Sequence, residues 1–255
     1  MIEKTQAIVL RYVPNGNTSR IVTWLTRDHG QVATIIKGSQ RPKSAFLGQF
    51  DLFYTCELLY YTRSRGDLHI AKECSPAKVR ARFRHDWRAC ALASYATDLA
   101  LRVAPPQAPQ TRIYRWLDAV LDDLHRSAPT PAVMIGHELS LLAELGLAPR
   151  LNHCMNCHRA FGDATSALHF SHQRGGLLCN NCAKTDHRPA YPVPADVVAM
   201  LRNWQRPSAS PDLIRRTRCD ARQIALLERM LGEFLRYHLD LPLPSRDIAW
   251  AIQQR

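Results

Sequence analysis

Cys154-Met-Asn-Cys157 and Cys179-Asn-Asn-Cys182 are the residues whose type and spacing most directly specify chemistry. A two-residue gap lets both thiolates of a pair point inward at bonding distance, so two pairs together complete a tetrahedral Zn²⁺ shell. The 21 residues between Cys157 and Cys179 lie at the long edge of the usual four-cysteine spacing. Gly175-Gly176, just before the second pair, supplies the tight backbone turn that such a site needs. Four thiolates leave no coordination position open to a substrate. The expected site is therefore closed and structural, with one zinc per chain held by Cys154, Cys157, Cys179 and Cys182. Two disulfides, or thiols unrelated to one another, are the competing readings.

The rest of the cysteine inventory bears on that choice. Cys56, Cys74, Cys90 and Cys219 are scattered among apolar neighbours, as buried free thiols are. The start, Met1-Ile2-Glu3-Lys4, shows no basic-then-apolar signal pattern, and no apolar run approaches ~18 residues. A reducing cytoplasmic compartment is expected, with no membrane partner. At 255 residues and 46% apolar content, the chain is long enough for one large domain or two smaller ones with a true core.

Charge narrows the partner. Lys and Arg number 34 against 22 Asp and Glu, a net +12, which favours a polyanion, and nucleic acid above all. Lys37-Gly-Ser-Gln-Arg41-Pro-Lys43-Ser44 is the sharpest basic run. Cations around a Gly and a Pro at the end of a strand form an exposed loop that can follow phosphates. Trp24, Phe46, Phe50, Phe53 and Tyr54 are candidate faces for bases, or else ordinary barrel core. Lys78, Arg80, Arg82, Arg84 and Arg88 form a second basic cluster. On a helix Arg80, Arg84 and Arg88 would share one face, either continuing the phosphate contacts or simply solvated. Lys37, Arg41 and Lys43, helped by Arg20, Arg80 and Arg84, are thus the expected nucleic-acid contacts.

Positioning these groups falls to two kinds of structure. The first eighty residues read as five short β-runs: 5–12, 19–26, 31–37, 51–62 and 68–72, parted by turns at Pro14-Asn-Gly16, Asp28-His-Gly30 and Gly66-Asp67. Five strands are the count of an OB-fold, although the pattern alone does not separate it from an SH3-like barrel. From Ser75-Pro76, read as a helix cap and first turn, the period becomes helical as far as Val103. Further helices are expected at 110–126, around Ile135 to Leu145, at 194–205 and from Asp220 onward. The fold class is α+β: an OB-fold domain over residues 1–79, then a helical domain over 80–255 with a zinc module inserted at about 150–188.

Covalent chemistry finds no support. His137-Glu138 lacks the second histidine of a metalloprotease helix, since Leu141 stands there, and no His-x-Glu element precedes a cysteine pair as in a zinc deaminase. There is no P-loop, no Gly-rich dinucleotide turn and no serine elbow. His153, His158, His169, His172 and His187 crowd the zinc segment but are surplus to a four-thiolate site. The chain is read as a non-enzyme.

Taken in order, four stretches resemble the RecO family of bacterial recombination mediators. They are Arg20-Ile-Val-Thr-Trp-Leu-Thr26 to Gly30, Lys37 through Ser44, Glu138 through Pro149 leading into Cys154, and Phe170 through Cys182. The closing segment from Leu235 to Arg246 fits as well. Two positions depart from the family pattern: Ser19, where an acidic residue is usual, and Ser39-Gln40, where a small residue and a further Arg are common. The resemblance implies an N-terminal OB-fold that binds single- and double-stranded DNA, so that the expected nucleic-acid contacts become DNA contacts, and a helical domain holding zinc. It also implies annealing of complementary strands, binding of the acidic, apolar-ended tail of single-strand-binding protein, and work with RecR to load RecA, with RecF in the same pathway. Localisation would be cytoplasmic and nucleoid-associated.

For that tail, the helix from Gln110 to Arg126 sets Arg112 and Arg115 beside Ile113 and Trp116. Solvated arginines on a core-packed helix fit the same composition. From the residues alone, a zinc-ribbon module that binds RNA or the ribosome is the alternative, and a zinc-dependent hydrolase a distant third.

Overall fold

The computed structural model describes residues 1–63, 66–106, 108–162 and 167–253. It forms two compact units, Met1–Ala128 and Pro129–Arg255.

In the first unit, strands β1 (Ile2–Asn15), β2 (Ser19–Thr26), β3 (Gly30–Ile36), β4 (Thr55–Tyr61) and β5 (Leu68–Lys78) close into a barrel in the order β1-β2-β3-β5-β4. All pairs are antiparallel except β3 with β5. This is the OB-fold order, with β1 shared between both halves of the sheet. A bulge between Val9 and Arg11 bends β1, whose first half pairs with β4 and whose far end, to Asn15, pairs with β2 alone. Alternation sends Val22, Trp24, Ile36, Leu58 and Tyr60 inward, where burial contributes about 1.5–3 kcal/mol for each large apolar side chain. Trp24 meets its polar requirement inside the barrel, its Nε1–H donating to Thr34 Oγ1 at 2.9 Å.

The expected helix at Ser75-Pro76 is not there. β5 runs on through both residues to Lys78, and a 3₁₀ turn follows at Ala81–Arg84. Proline is tolerated because β3 pairs with β5 only at Leu68–Ile70, so one edge is free of that ladder, and Pro76 lies at a register shift against β4. Helix α1 (Trp87–Val103) starts instead behind Asp86, whose side chain accepts from the Ala89 N–H. Helix α2 (Thr111–Arg126) buries Ile113, Leu117, Val120, Leu121 and Leu124, the stripe read from the sequence. Gln31 of β3 donates to the carbonyl oxygens of Leu101 and Ala104, two of the acceptors that α1 leaves open at its C-terminal end.

The second unit opens with α3 (Pro131–Glu144), capped by Thr130 and with proline in its first turn. A three-stranded sheet follows: β6 (Leu168–Ser171), β7 (Gly176–Cys179) and β8 (Tyr191–Val193), in the order β7-β6-β8. Helix α4 (Asn180–Thr185) leaves β7 directly. Helices α5 (Ala195–Trp204), α6 (Pro211–Arg216), α7 (Ala221–Leu239) and α8 (Pro244–Gln253) complete the unit. The short α6 and terminal α8 were not anticipated. Helix α7 starts with a capping box in which Asp220 and Gln223 bond reciprocally. A buried ion pair joins α3 to α8: Arg246 Nε to Glu138 Oε1 at 2.7 Å, with both side chains 2% exposed or less. Among the described residues, no helix is long and apolar enough to cross a membrane.

Candidate metal centre and nucleic-acid interface

Backbone geometry gathers the four cysteines. The first pair sits on a knuckle in which the His158 N–H donates to the Cys154 carbonyl at 2.9 Å and the Cys154 N–H to the Arg159 carbonyl at 2.9 Å. Cys179 ends β7, and α4 carries Cys182 back toward it. The two halves are laced together: Leu177 N–H donates to Arg150 O at 3.0 Å, and Met155 N–H to Leu177 O at 2.9 Å. Gly175 turns the β6–β7 hairpin with φ +77°. A Cβ on Gly176 would lie 2.2 Å from the Arg150 carbonyl, so the chains can approach only with glycine there.

The four Sγ atoms lie within 4.8 Å of one another, and those of Cys157 and Cys179 are 3.9 Å apart. Tetrahedral Zn–S bonds of about 2.3 Å require Sγ separations of ~3.8 Å, so the set fits a zinc shell. Burial opposes ionisation of Cys154, yet hydrogen bonds from the backbone N–H groups of Cys157, Cys179 and Asn156 outweigh it and hold the thiol down to about 6. A thiolate is the form a metal takes up. By its geometry the cluster could hold one metal ion. Side chains from two helices fix it in the unit: Arg202 of α5 donates to the Leu151 carbonyl at 2.7 Å, and His238 of α7 bonds the His172 carbonyl at 2.8 Å.

A second constellation lies at one end of the barrel. Strand register puts Arg20 opposite Ile36, beside the exit into the basic loop. The Ser19 hydroxyl accepts from the Gly38 N–H at 3.1 Å, and the Gln40 N–H donates to the Thr18 carbonyl at 2.9 Å. The departure at Ser19 thus ties the loop to β2 by a neutral contact. Lys37, Arg41 and Lys43 are exposed, and no carboxylate lies within ion-pairing reach of them among the described residues.

The Arg20 guanidinium stacks 4.4 Å from the Tyr12 ring centroid. Tyr12 Oη donates to Asp51 Oδ1 at 3.3 Å, and Asp51 Oδ2 receives Arg84 Nη2 at 3.3 Å. Arg84 also donates to the Tyr54 hydroxyl. Arg20 and Arg84, far apart in sequence, therefore meet around a Tyr12–Asp51 bridge that sequence reading missed. An aromatic followed at a distance by a lone acid carries no local signal. Burial, together with the Asp51 charge, raises the Tyr12 hydroxyl, which stays protonated as a donor.

Several expected contacts are corrected. Arg80 is not on a shared helix face with Arg84 and Arg88, because it precedes the 3₁₀ turn and its side chain is 1% exposed. Its guanidinium reaches Asp118 at 2.6 Å, Asp122 at 2.9 Å and the Phe53 carbonyl at 2.6 Å. Lys78 joins the same two carboxylates at 2.6 and 2.8 Å. Burial alone would raise the Asp122 carboxyl, but Lys78 and Arg80 overcome it and hold it below the usual carboxylate range. Arg80 thus fastens the end of β5 to α2 and has no group left for a phosphate.

Trp24, Phe50, Phe53 and Tyr54 are buried, with only Phe46 half-buried, so the barrel aromatics form core rather than base-stacking faces. On α2, Arg112 and Arg115 are exposed, but Ile113 and Trp116 are 2% and 6% exposed. That helix offers charges without an apolar pocket. The composition sought there occurs in the second unit, in a groove of 710 Å³ between β8 and α7. Leu168, Pro192, Val193 and Leu226 line it together with Arg222 and Arg229, both exposed.

Comparison with known proteins supplies a family. Residues 1–80 match the description "Recombination protein O N terminal", and residues 84–247 match "Recombination protein O C terminal". The chain is 30% identical over 247 residues to the DNA repair protein RecO of Anaeromyxobacter sp. (strain K), covering 95% of this chain and 94% of that protein. It is 32% identical over 201 residues to the protein of the same name from Exiguobacterium sibiricum, covering 79% and 78%. With that of Bacillus subtilis (strain 168) it shares 28% over 203 residues, covering 79% and 76%.

Proposed function

The chain belongs to the recombination protein O (RecO) family, whose role is in DNA repair and recombination, and from that premise we propose that it binds and anneals DNA strands without sequence preference and helps load RecA onto coated single strands. The observation that carries this reading is the cationic end of the barrel: Lys37, Arg41 and Lys43 exposed, with Arg20 and Arg84 held beside them by Tyr12 and Asp51. Phosphate contact suits the task, because every damaged locus must be acceptable. Annealing needs two backbones brought together against their repulsion, which a protein of net +12 screens. The chemistry is non-covalent, and the action is cytoplasmic and nucleoid-associated.

The metal is zinc in this reading, and its role is to fold the segment that carries β6, β7 and α4. The acidic, apolar-ended tail of single-strand-binding protein docks in the β8–α7 groove, with Arg222 and Arg229 facing its carboxylates, rather than on α2. RecR is the remaining direct partner, with RecA and RecF reached indirectly.

Complementary oligonucleotides, naked and coated with single-strand-binding protein, test this. The chain should speed annealing of both, and excess unrelated RNA should compete weakly. Arg222→Glu with Arg229→Glu should stall the coated strands while sparing the naked ones. No acceleration of naked strands, with tight RNA binding instead, would favour an RNA- or ribosome-binding module.

A further inference from the structure

Trp87 is 54% exposed, whereas Trp24, Trp116, Trp204 and Trp250 are all 6% exposed or less. It opens α1 and carries the Arg88 guanidinium 5.5 Å from its ring centroid. A tryptophan left in water forgoes the burial of about 150–250 Å² that makes it valuable in a core.

The surroundings say what would cover it. Residues 81–88 read Ala-Arg-Phe-Arg-His-Asp-Trp-Arg, and Arg84, His85 and Arg88 are exposed with Trp87. The single acid, Asp86, is occupied on both oxygens: Oδ1 accepts from the Ala89 N–H at 3.0 Å and Oδ2 from Arg82 Nε at 2.9 Å. Arg84, three residues before Trp87, joins the Tyr12–Asp51 bridge that also holds Arg20. Three residues of chain separate the two Cα atoms by at most about 11 Å, so Trp87 and Arg84 belong to one short stretch of the chain. In the barrel, Trp24, Phe50, Phe53 and Tyr54 are buried and Phe46 is half-buried, while Tyr61, 40% exposed at the end of β4, faces Lys72 at 6.0 Å from its ring centroid.

We propose that Trp87 is a stacking platform for unpaired bases, with Arg84 and Arg88 holding the flanking phosphates, so that this face takes single-stranded DNA in preference to duplex. An unpaired base offers a π-face of any sequence, and cationic neighbours favour the polyanion that carries it. A paired base keeps its faces inside the duplex stack and cannot use the ring. This inference rests on the DNA-binding reading above and adds the residue that sets strand preference.

The intact chain should be titrated with oligo(dT), with an abasic oligomer of equal length, and with duplex. Trp87→Ala should lower oligo(dT) affinity roughly 5- to 100-fold while the abasic oligomer and duplex change by less than about twofold. Trp87→Phe should keep most of the affinity, because a smaller ring still stacks. Oligo(dT) should quench the solvent-exposed part of the wild-type tryptophan emission, and the abasic oligomer should not. Unchanged oligo(dT) affinity in Trp87→Ala, with salt-sensitive binding intact, would overturn the platform and leave the phosphate interface standing. An equal loss on the abasic oligomer would overturn it too, by making the effect one of backbone contact. Failure of the wild-type chain to bind any of the three would remove both readings together.

Discussion

Cys179→Ser is expected to cost the protein its metal and the fold of the segment from about residue 150 to 193. Among its described residues that segment has three short strands, one short helix and little core of its own. Structural zinc in such small modules supplies an apparent ~10–16 kcal/mol of folding free energy at neutral pH. Losing one thiolate of four sacrifices much of this, and Cys179 is also the residue through which β7 passes into α4. Metal analysis should fall from about one zinc per chain to near zero. Limited proteolysis should then cut within 150–188 while the barrel survives. Cys90→Ser, a change outside the four-thiol cluster, should leave the metal in place. Full zinc content in Cys179→Ser, or its absence from wild-type protein prepared reduced and free of chelators, would contradict the site.

Arg80→Ala is expected to destabilise the first unit by about 3–5 kcal/mol, the usual cost of removing one member of a buried charged network. The substitution leaves Lys78 as the cation that Asp118 and Asp122 share, and frees the Phe53 carbonyl, while the Thr55 hydroxyl keeps its bond to Asp118. A melting temperature lower by roughly 10–20 °C follows for a unit of this size. The salt dependence of DNA binding, measured well below the melt, should not change. An unaltered melt with a flattened salt dependence would return Arg80 to the phosphate contacts.

These two residues mark what was legible in the sequence. The clustering of the four cysteines was, because a Cys-x-x-Cys knuckle is a local device and its two-residue gap is the geometry itself. The stripe on α2 was legible for a related reason, since periodicity is local and only its partner is remote. Arg80 was not, because its partners lie 38 and 42 residues onward, on a helix whose approach to β5 no local pattern announces. The helix start was misplaced because Ser75-Pro76 has the form of a cap, while the free edge that admits Pro76 into β5 exists only once the barrel closes. Barrel closure also decides which aromatics turn inward: Trp24 and Phe50 pack with tilted rings 6.3 Å apart inside it. Ile113 and Trp116 fell to the same limit, since a helix shows its apolar stripe in sequence but not how wide that stripe is once packed.

The DNA-binding role depends on whether the basic loop and its neighbours meet phosphate. The direct measurement is oligo(dT) affinity across a salt series, for the wild-type chain and for Lys37→Ala combined with Arg41→Ala. Both side chains are exposed, so the double variant should fold normally. Each single-strand phosphate contact adds about 0.7 to the steepness of log affinity against log salt, so the slope should become shallower by roughly 1.4. A slope identical to that of the wild type would contradict the assignment and move the DNA to another face.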